Sequence, residues 1–452
     1  MAAYFNYDLI VIGGGSGGLA AASRAAAHGA RVAMFEPNEL GGTCVNAGCV
    51  PKKAMWLAAE LSQRAELASR VGFDLPPPAL DWPEFIVHRQ RYIAGIHASY
   101  RKRLDQAGVV HLPCRARLLD ARTVLTDDGA RHSADHVLIA TGGRPRRPEL
   151  PGAELAMVSD DFFNLCAPPP RVAIVGGGYV AVELAGVLQA LGSRVELFVR
   201  GARLLESFEI ELAEALEENY RHHGIRCRFR FELAEIQAQE RSGFRLRRTG
   251  GEFGEAFDAL ILATGRVPNS GHLGLEAAGV AVDAAGHIVV DEYQNTRTAG
   301  IYAVGDVTAA PALTPVAIAA ARRLMDRLFG GRAESRLDYR DIPTVIFAHP
   351  PLGTVGLTEA AARERYGDEV KVFRTQFRPM LHALADSPQR SLFKLVCVGA
   401  DERVVGLHLL GEGSDEILQG FAIAIRRGIT RHDLEDAMAI HPTAAEEIVL
   451  MR

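Results

Sequence analysis

Twice in this chain a short apolar strand runs into a cluster of three glycines and straight out into a helix. The first instance is Leu9–Ile12, then Gly13-Gly14-Gly15-Ser16-Gly17-Gly18, then an alanine-rich stretch from Leu19 to His28. Gly13, Gly15 and Gly18 stand at the G-x-G-x-x-G positions, where they serve a tight turn, close backbone approach to pyrophosphate and close helix–strand packing. The free N–H groups and dipole at the helix start favour an anion there. The next strand, Arg31–Phe35, ends in Glu36, an acid placed to accept hydrogen bonds from ribose hydroxyls. A glycine-rich turn alone is a weak signal; strand, helix and acid in register predict a dinucleotide site. The second instance is Val172–Val175, then Gly176-Gly177-Gly178-Tyr179-Val180-Ala181, a helix over Val182–Leu191 and a strand over Arg194–Val199. Ala181 replaces the third glycine, and Val199 stands where the first unit has Glu36. Loss of that carboxylate removes repulsion against a 2′-phosphate, and Arg200 and Arg203 supply counter-charge, so the second site reads as NADP(H). The plain alternative is that these arginines decorate a solvated strand end. Each unit closes with the same strand and turn, Val137–Gly142 and Leu260–Gly265, as though one unit duplicated the other. The fold class expected is α/β, with two Rossmann-like dinucleotide-binding domains plus a C-terminal α+β domain.

Between the first loop and the rest lies Gly41-Gly42-Thr43-Cys44-Val45-Asn46-Ala47-Gly48-Cys49-Val50-Pro51-Lys52-Lys53. Two cysteines five positions apart beside a flavin-type nucleotide site read as a redox-active disulfide, because a flavin exchanges two electrons with a disulfide only at contact range. Two dinucleotide sites and this pair make an electron path from NADPH through a flavin to the thiols. A helix is expected to start at this segment and run past Met55 and Ala59, and a helix N-terminus or a nearby lysine lowers a thiol pKa. Six cysteines in 452 residues do not form a disulfide scaffold, and Cys114, Cys166, Cys227 and Cys397 read as ordinary thiols. A hydrophobic fraction of 48%, a charged fraction of 23% and a net charge of −5 indicate a globular chain with no pull toward nucleic acid or an anionic membrane. The apolar runs stop well short of a bilayer span, and the first strand begins too early for a signal peptide. Cytoplasmic residence is expected, where a disulfide is more often catalytic than structural.

Further along, a helix is expected over Trp82–Gln106, and Pro76-Pro77-Pro78 and Pro168-Pro169-Pro170 mark a surface loop and a linker. Gly305-Asp306 puts an acid at the end of the strand Gly300–Val304. The last unit carries strands expected to alternate, Leu392–Val398 and Val404–Leu410. His222, His223 and Cys227 hint at a metal, but Gly224 reads as a helix C′ cap and no further ligand is spaced for zinc, so no metal is expected. Near the end, His441 precedes Pro442 and Glu446, which form either a His–carboxylate pair or a helix-capping segment.

These motifs together resemble the flavoprotein disulfide oxidoreductases of the pyridine-nucleotide class, and among them the glutathione reductases. The resemblance runs from about Tyr7 to Arg452 and rests on Gly41–Lys53, Leu313–Ala320 and His441–Met451. Lipoamide dehydrogenases usually carry a serine where this chain has Lys52. By resemblance, Cys44 is the thiol that attacks glutathione disulfide and Cys49 the one against the flavin; Lys52 and Glu183 pair beside the flavin's reactive nitrogen. Gly13, Gly15, Ser16, Gly18, Glu36, Thr43, Lys52, Thr141, Gly142, Asp306 and Thr314 are the implied FAD contacts. Gly176, Gly178, Tyr179, Ala181, Glu183, Arg200, Arg203, Gly265 and Arg266 are those for NADPH, with Tyr179 gating the nicotinamide pocket. Ser16, Ala20, Tyr92, Tyr100 and Arg322 match the glutathione-site positions. Ala20 stands where trypanothione reductases place an acid, and with Arg322 it suits an anionic disulfide.

His441 and Glu446 match an acid/base pair that the family supplies across a homodimer interface. A thiolate leaving group needs a proton, which a carboxylate-held histidine delivers near neutral pH. Ser23 and Glu206 depart from the pattern: Ser23 stands where some glutathione reductases hold a substrate carboxylate with arginine, and Glu206 takes the place of the second 2′-phosphate arginine. The chain also lacks the C-terminal cysteines of high-molecular-weight thioredoxin reductases and mercuric reductases. The implied domains are FAD-binding over 1–143 and 269–339, NADPH-binding over 144–268 and dimerisation over 340–452. The implied function is reduction of glutathione disulfide. The alternatives are reduction of another low-molecular-weight disulfide, or an electron-transfer flavoprotein whose disulfide does not turn over.

Overall fold

The computed structural model describes residues 6–76, 79–239 and 243–452, so of the expected proline loop only Pro76 lies among the described residues. Two compact units emerge: the described parts of Met1–Lys52, Glu84–Arg146 and Arg266–Asp338, and those of Lys53–Pro83, Arg147–Gly265 and Tyr339–Arg452.

The first unit opens with β1 (Tyr7–Ile12), α1 (Ser16–Ala27), β2 (Val32–Phe35), the short α2 (Gly42–Asn46), and the start of α3 (Cys49–Arg70). Then come α4 (Trp82–Gln106), with the bounds expected from sequence, β3 (Val110–Leu112), β4 (Ala116–Leu118), β5 (Thr123–Thr126), β6 (Arg131–Ile139) and β7 (Gly143–Pro145). The strands order as β3-β2-β1-β6-β5-β4. β1 pairs in parallel with β2 and β6. Its run Leu9–Ile12 is continuously apolar because both faces are covered, as in parallel sheets generally. Leu9 and Val11 pack with Leu19 and Ala22 of α1, and Ile10 and Ile12 with Phe35 and Ile139 on the other face.

The second unit builds its own parallel sheet from β8 (Met157–Val158), β9 (Arg171–Val175), α5 (Tyr179–Ala190), β10 (Arg194–Phe198), α6 (Ile210–His222) and β11 (Arg226–Arg228). An antiparallel insert follows, β12 (Leu233–Ala238), β13 (Phe244–Arg248) and β14 (Phe253–Phe257), and then β15 (Ala259–Leu262) completes the sheet order β11-β10-β9-β15-β8. Gly224 follows the C-cap of α6 with φ +86°, the C′ position expected of it.

The chain then returns to the first unit. β16 (Arg266–Pro268) pairs with β7, β17 (Ile301–Ala303) pairs in parallel with β6, and α7 (Thr314–Leu328) packs Ala321 and Leu324 against the same cluster as α1. Asp326 of α7 takes Arg24 and His28 of α1, at 2.5 and 2.9 Å.

The last stretch belongs to the second unit. It holds β18 (Thr344–Ile346), β19 (Leu352–Gly356), α8 (Glu359–Tyr366), β20 (Val370–Phe377), α9 (Met380–Leu384), β21 (Ser391–Val398), β22 (Arg403–Leu410), α10 (Ser414–Arg426), α11 (Arg431–Glu435) and α12 (Glu446–Val449). The strands form an antiparallel sheet in the order β18-β19-β22-β21-β20. Here the expected alternation fails. Every residue of β21 and all of β22 after Arg403 is buried, because α10 covers one face through Leu418, Ala422 and Ile425 while Ala362 of α8 packs with Val396, Val398 and Val405 on the other.

Candidate active site

The two glycine loops are built alike. Gly13 and Gly176 turn the chain at φ +110° and +146°, and their amides are held by Phe35 and Phe198 carbonyls, each at the end of the next strand. A Cβ on Gly18 would stand 1.9 Å from the Gly13 oxygen, so the helix meets the loop closely enough to need glycine, the reason given for it from sequence. The middle glycines show the equivalence of Glu36 and Val199 directly. A Cβ on Gly14 would meet the Glu36 Cβ at 2.8 Å, and one on Gly177 would meet Val199 Cγ1 at 2.6 Å.

What the two loops offer a ligand differs accordingly. The Glu36 carboxylate accepts from Gly14 N–H (2.8 Å) and Asn38 N–H (2.9 Å), each to a different oxygen, and so presents a preset acid at the strand end. Gly15 and Gly178 are the N-caps of α1 and α5, and neither helix start has a side-chain cap. A Cβ on Gly178 would meet nothing within 4 Å. An uncapped helix N-terminus beside open space fits a dinucleotide pyrophosphate. At the second site the end of β10 carries buried Val199, followed by exposed Arg200. Arg203 donates through Nη2 to the backbone oxygen of Glu206 at 2.7 Å, so part of its guanidinium serves the loop itself. The Glu206 carboxylate folds back against Gly201.

The cysteine segment is pressed onto the first loop. Gly41 bridges Gly15 in parallel fashion, its N–H donates to the Gly14 oxygen at 2.9 Å, and a Cβ on Gly42 would stand 2.8 Å from the Gly15 Cα. Cys44 lies in α2 and Cys49 opens α3. Both are free thiols here, and they are hydrogen-bonded to one another. The helix N-terminus that lowers a thiol pKa is occupied by Cys49; Cys44, on α2, is pushed the other way. The hydrogen bond with Cys49 and then burial push the Cys44 thiol up, and Thr314 and Ser16 oppose them only in part. Thr314 Oγ1, at the start of α7, is 3.9 Å from Cys49 Sγ. Tyr100 of α4 lies in the field of Cys44, and burial and that charge raise its phenol pKa. His97 Nε2 and Asn46 Oδ1, 2.8 Å apart, tie α4 to α2.

The remaining expected residues distribute as follows. Ser16, Ala20, Thr43 and Lys52 lie on α1, α2 and the first turn of α3, Ala20 packing with Tyr100 on the core. Thr141 donates to the Asn269 oxygen (2.7 Å), the Gly142 oxygen accepts Asn269 N–H (2.8 Å), and the carboxyl of Asp306 is pushed up by burial and down by Arg266. Arg266, assigned to the donor nucleotide by resemblance, donates to the Gly143 oxygen at 2.7 Å. Tyr92 and Arg322 are exposed on α4 and α7. In the second unit, Gly265 turns at φ +110° after β15, Tyr179 and Ala181 open α5, and Glu183 is 6% exposed with Oε1 accepting Phe347 N–H at 2.8 Å. Nothing in the sequence signalled that backbone partner, because it lies 164 positions away. His223 engages Gln389 at 3.1 Å, and burial pushes the Cys227 thiol up to about 12.

His441 and Glu446 form the pair, and Glu446 also ties the turn ahead of α12, whose N-cap, Ala445, has no side-chain cap. His441 Nδ1 is 2.9 Å from Glu446 Oε2, while Glu446 Oε1 accepts Thr443 N–H at 3.0 Å. These contacts hold the carboxyl of Glu446 below the usual range. The imidazole is 81% exposed, which leaves Nε2 open for contact with a second molecule.

Residues 7–321 match the family model of the pyridine nucleotide-disulphide oxidoreductases, and residues 342–452 match the dimerisation domain of the same family. A glutathione reductase of Yarrowia lipolytica is 43% identical over 470 aligned positions, covering 100% of both chains. One of Schizosaccharomyces pombe is 42% identical over 457 positions, covering 98% of both. No helix among the described residues is long and apolar enough to cross a membrane.

Proposed function

The chain belongs to the pyridine nucleotide-disulphide oxidoreductase family, and we propose that within it the protein reduces glutathione disulfide to two glutathione molecules with NADPH, as an FAD-bearing homodimer. The observation that carries this reading is the hydrogen-bonded Cys44–Cys49 pair, bracketed by Ser16, Thr314 and Tyr100 and held on the first glycine loop. Full-length similarity to two glutathione reductases supports the substrate. The range 342–452 of the second family model supports a dimerisation domain over 340–452; the division of the rest into FAD-binding over 1–143 and 269–339 and NADPH-binding over 144–268 rests on the two glycine loops. The cytoplasm, which keeps thiols reduced, suits a catalytic dithiol and is the compartment proposed.

FAD, when bound, supplies two-electron transfer between the nicotinamide and the cysteine pair. Glu36, the Gly13–Gly18 loop, Thr43, Thr141, Gly142 and Asp306 would hold it, with Lys52 assigned to the flavin by resemblance; the Gly176–Ala181 loop, Tyr179, Arg200 and Arg203 would hold the donor, with Glu183 assigned to the nicotinamide. The protein's own steps are thiol–disulfide exchanges. Cys44 gives its proton to Nε2 of His441 in the second copy and, as thiolate, attacks one sulfur of glutathione disulfide through Sγ; the S–S bond breaks, and the first glutathione leaves as a thiolate. That leaving group takes a proton from Nε2 of His441 in the second copy, the atom left open because Nδ1 is engaged by Glu446. Cys49 Sγ then attacks Cys44 Sγ, closing the intramolecular disulfide and releasing the second glutathione, with two electrons passed to the substrate overall. Ala20, Tyr92, Tyr100 and Arg322 line the approach of the substrate. Solvent exposure of Leu57, Leu61, Ile423, Met438 and Ile440, all large and apolar, supports coverage by a second copy.

The test is a panel of low-molecular-weight disulfides offered with NADPH and with NADH, reading nicotinamide oxidation and thiol release. Glutathione disulfide with NADPH should give the highest kcat/KM and two thiols per nicotinamide oxidised. A higher value with a different disulfide would reassign the substrate, and flavin reduction without thiol release would favour an electron-transfer flavoprotein.

A further inference from the structure

The loop from Val199 to Phe208 carries three charged side chains, Arg200, Arg203 and Glu206, the ones read above for the donor's 2′-phosphate. Its entry is tied to the strand beside it by backbone hydrogen bonds, Val199 N–H to the Arg228 oxygen, Phe231 N–H to the Val199 oxygen and Arg230 N–H to the Gly201 oxygen, all at 2.9 Å. Further on, Leu205 N–H donates to the Gly177 oxygen at 2.7 Å, with Leu205 at φ +51°. Its exit is held by Glu209, the residue that follows the loop. Glu209 is the N-cap of α6, yet its side chain does not cap that helix. It reaches the C-terminal sheet instead, Oε1 accepting from Lys394 Nζ at 2.8 Å and Oε2 from Glu359 N–H at 2.9 Å.

Lys394 is 1% exposed, in a strand otherwise composed of apolar residues, a serine and a cysteine. Its ammonium also meets Glu211 at 2.8 Å and Glu359 at 2.7 Å, so each of its three donors has a carboxylate. Arg374, 3.2 Å from Glu211, and Arg363, 2.8 Å from Glu359, bring three cations against three acids. A buried ion cluster replaced whole by apolar residues of like volume often costs nothing, so stability alone is weak grounds for keeping this one. The far end of α6 has a separate anchor, the reciprocal Asn219–Arg390 hydrogen bonds, both at 3.2 Å. Of these two anchors of α6, the Lys394–Glu209 contact is the one that adjoins the loop.

We propose that Lys394 and Glu209 are positioning residues of the electron-donor site: by fixing the exit of the Val199–Phe208 loop, they hold Arg200 and Arg203 where a 2′-phosphate is bound. The inference rests on the NADPH reading above. Neither residue touches the donor, and their effect is on its binding, not on the exchange steps at Cys44 and Cys49.

The FAD-bearing dimer carrying Glu209→Gln tests this, because Lys394 then keeps two carboxylate partners. Calorimetry with 2′,5′-ADP, an adenosine bearing the 2′-phosphate, should show Kd raised about ten-fold, roughly the worth of one charge-assisted contact. KM for NADPH should rise with it, while kcat and KM for glutathione disulfide stay within about two-fold. Asn219→Ala, which frees the other end of α6, should lower Tm and leave 2′,5′-ADP affinity at the wild-type value. Unchanged affinity in Glu209→Gln, with or without a lower Tm, would overturn the proposal, as would a fall in kcat alone. If Glu209→Gln does not fold, Lys394→Arg, which keeps the charge but not the three-way geometry, is read by the same titration and the same criterion. A wild-type enzyme that binds AMP but not 2′,5′-ADP would instead refute the NADPH reading itself, a distinct result.

Discussion

Replacing Gly42 by alanine tests whether the spacing between the dithiol and the first nucleotide loop is set by backbone contact. The new Cβ would stand 2.8 Å from the Gly15 Cα, and ordinary contact begins near 3.4 Å, so α2 must retreat by about 0.6–1 Å. Gly42 also sits at φ +59°, a left-handed conformation that costs an alanine roughly 1–2 kcal/mol. Overpacking adds about 1–3 kcal/mol, so the total is a sizeable part of a stability of roughly 5–15 kcal/mol. The functional effect should be larger than the thermal one. A misplacement of about 1 Å at a reacting centre costs on the order of a hundred-fold in rate, and Cys44 lies two residues from the strained position. The assay is FAD content per chain, Tm, kcat/KM for glutathione disulfide, and NADPH-driven reduction of an artificial acceptor that bypasses the dithiol. Disulfide turnover should fall by ten- to a hundred-fold, with FAD retained and bypass activity within about two-fold. A variant that keeps FAD and reduces glutathione disulfide at the wild-type rate would refute the reasoning, because the glycine contact would then not set the spacing.

Cys44→Ser and Cys49→Ser should each abolish disulfide reduction and keep FAD bound, and only Cys44→Ser should leave a thiolate that perturbs the flavin spectrum; turnover in either purified variant contradicts the assignment. Hybrid dimers of Cys44→Ser and His441→Ala subunits, each inactive alone, should recover activity because one of the two sites is then intact; confirmed hybrids without recovery would exclude shared sites. Arg200→Ala should raise KM for NADPH far more than for NADH, by the roughly 1.5–3 kcal/mol of a well-made charged contact, and Glu206→Arg should sharpen the NADPH preference; an unchanged donor ratio in Glu206→Arg would mean that its carboxylate stays on Gly201, away from the phosphate. Burial, reinforced by the charge of Glu412, pushes the Glu60 carboxyl from 4.5 up to about 7, so the folded state binds more protons than the unfolded one in that window and stability falls as pH rises through it. Glu60→Gln should therefore raise Tm more at pH 8 than at pH 5, and an equal shift at both would remove Glu60 as the titrating group.

The two nucleotide folds were legible because local pattern alone specifies them: a continuous apolar strand, glycines in fixed register, and a helix. α4 was legible for a related reason, its length and flanking breaks. β21 and β22 were legible as strands but not in their burial. Alternation marks a half-exposed sheet, and whether helices cover the second face is settled by segments far away in sequence. Lys394 shows the same limit. A lone lysine in an apolar strand announces that partners exist, but Glu209 is 185 positions distant and no spacing rule reaches it. His441–Glu446 stood between pair and cap because the spacing serves either; one carboxylate oxygen takes His441 and the other Thr443 N–H, ahead of a helix that has no side-chain cap. The rise at the Cys44 thiol was not legible, because it comes from the second thiol and from burial and not from helix position.

The middle-glycine contacts stop close to the main chain: Gly14 meets Cβ and Cγ of Glu36, and Gly177 meets a γ-methyl of Val199. Each loop is thus fitted to the stem of the side chain that ends the next strand, but only the first is also tied to its tip, because Gly14 N–H donates to the Glu36 carboxylate. Exchanging the acid at the first site therefore costs the loop a hydrogen bond, whereas Val199 ends in methyls and the exposed Arg200 beside it can change without touching the Gly177 contact.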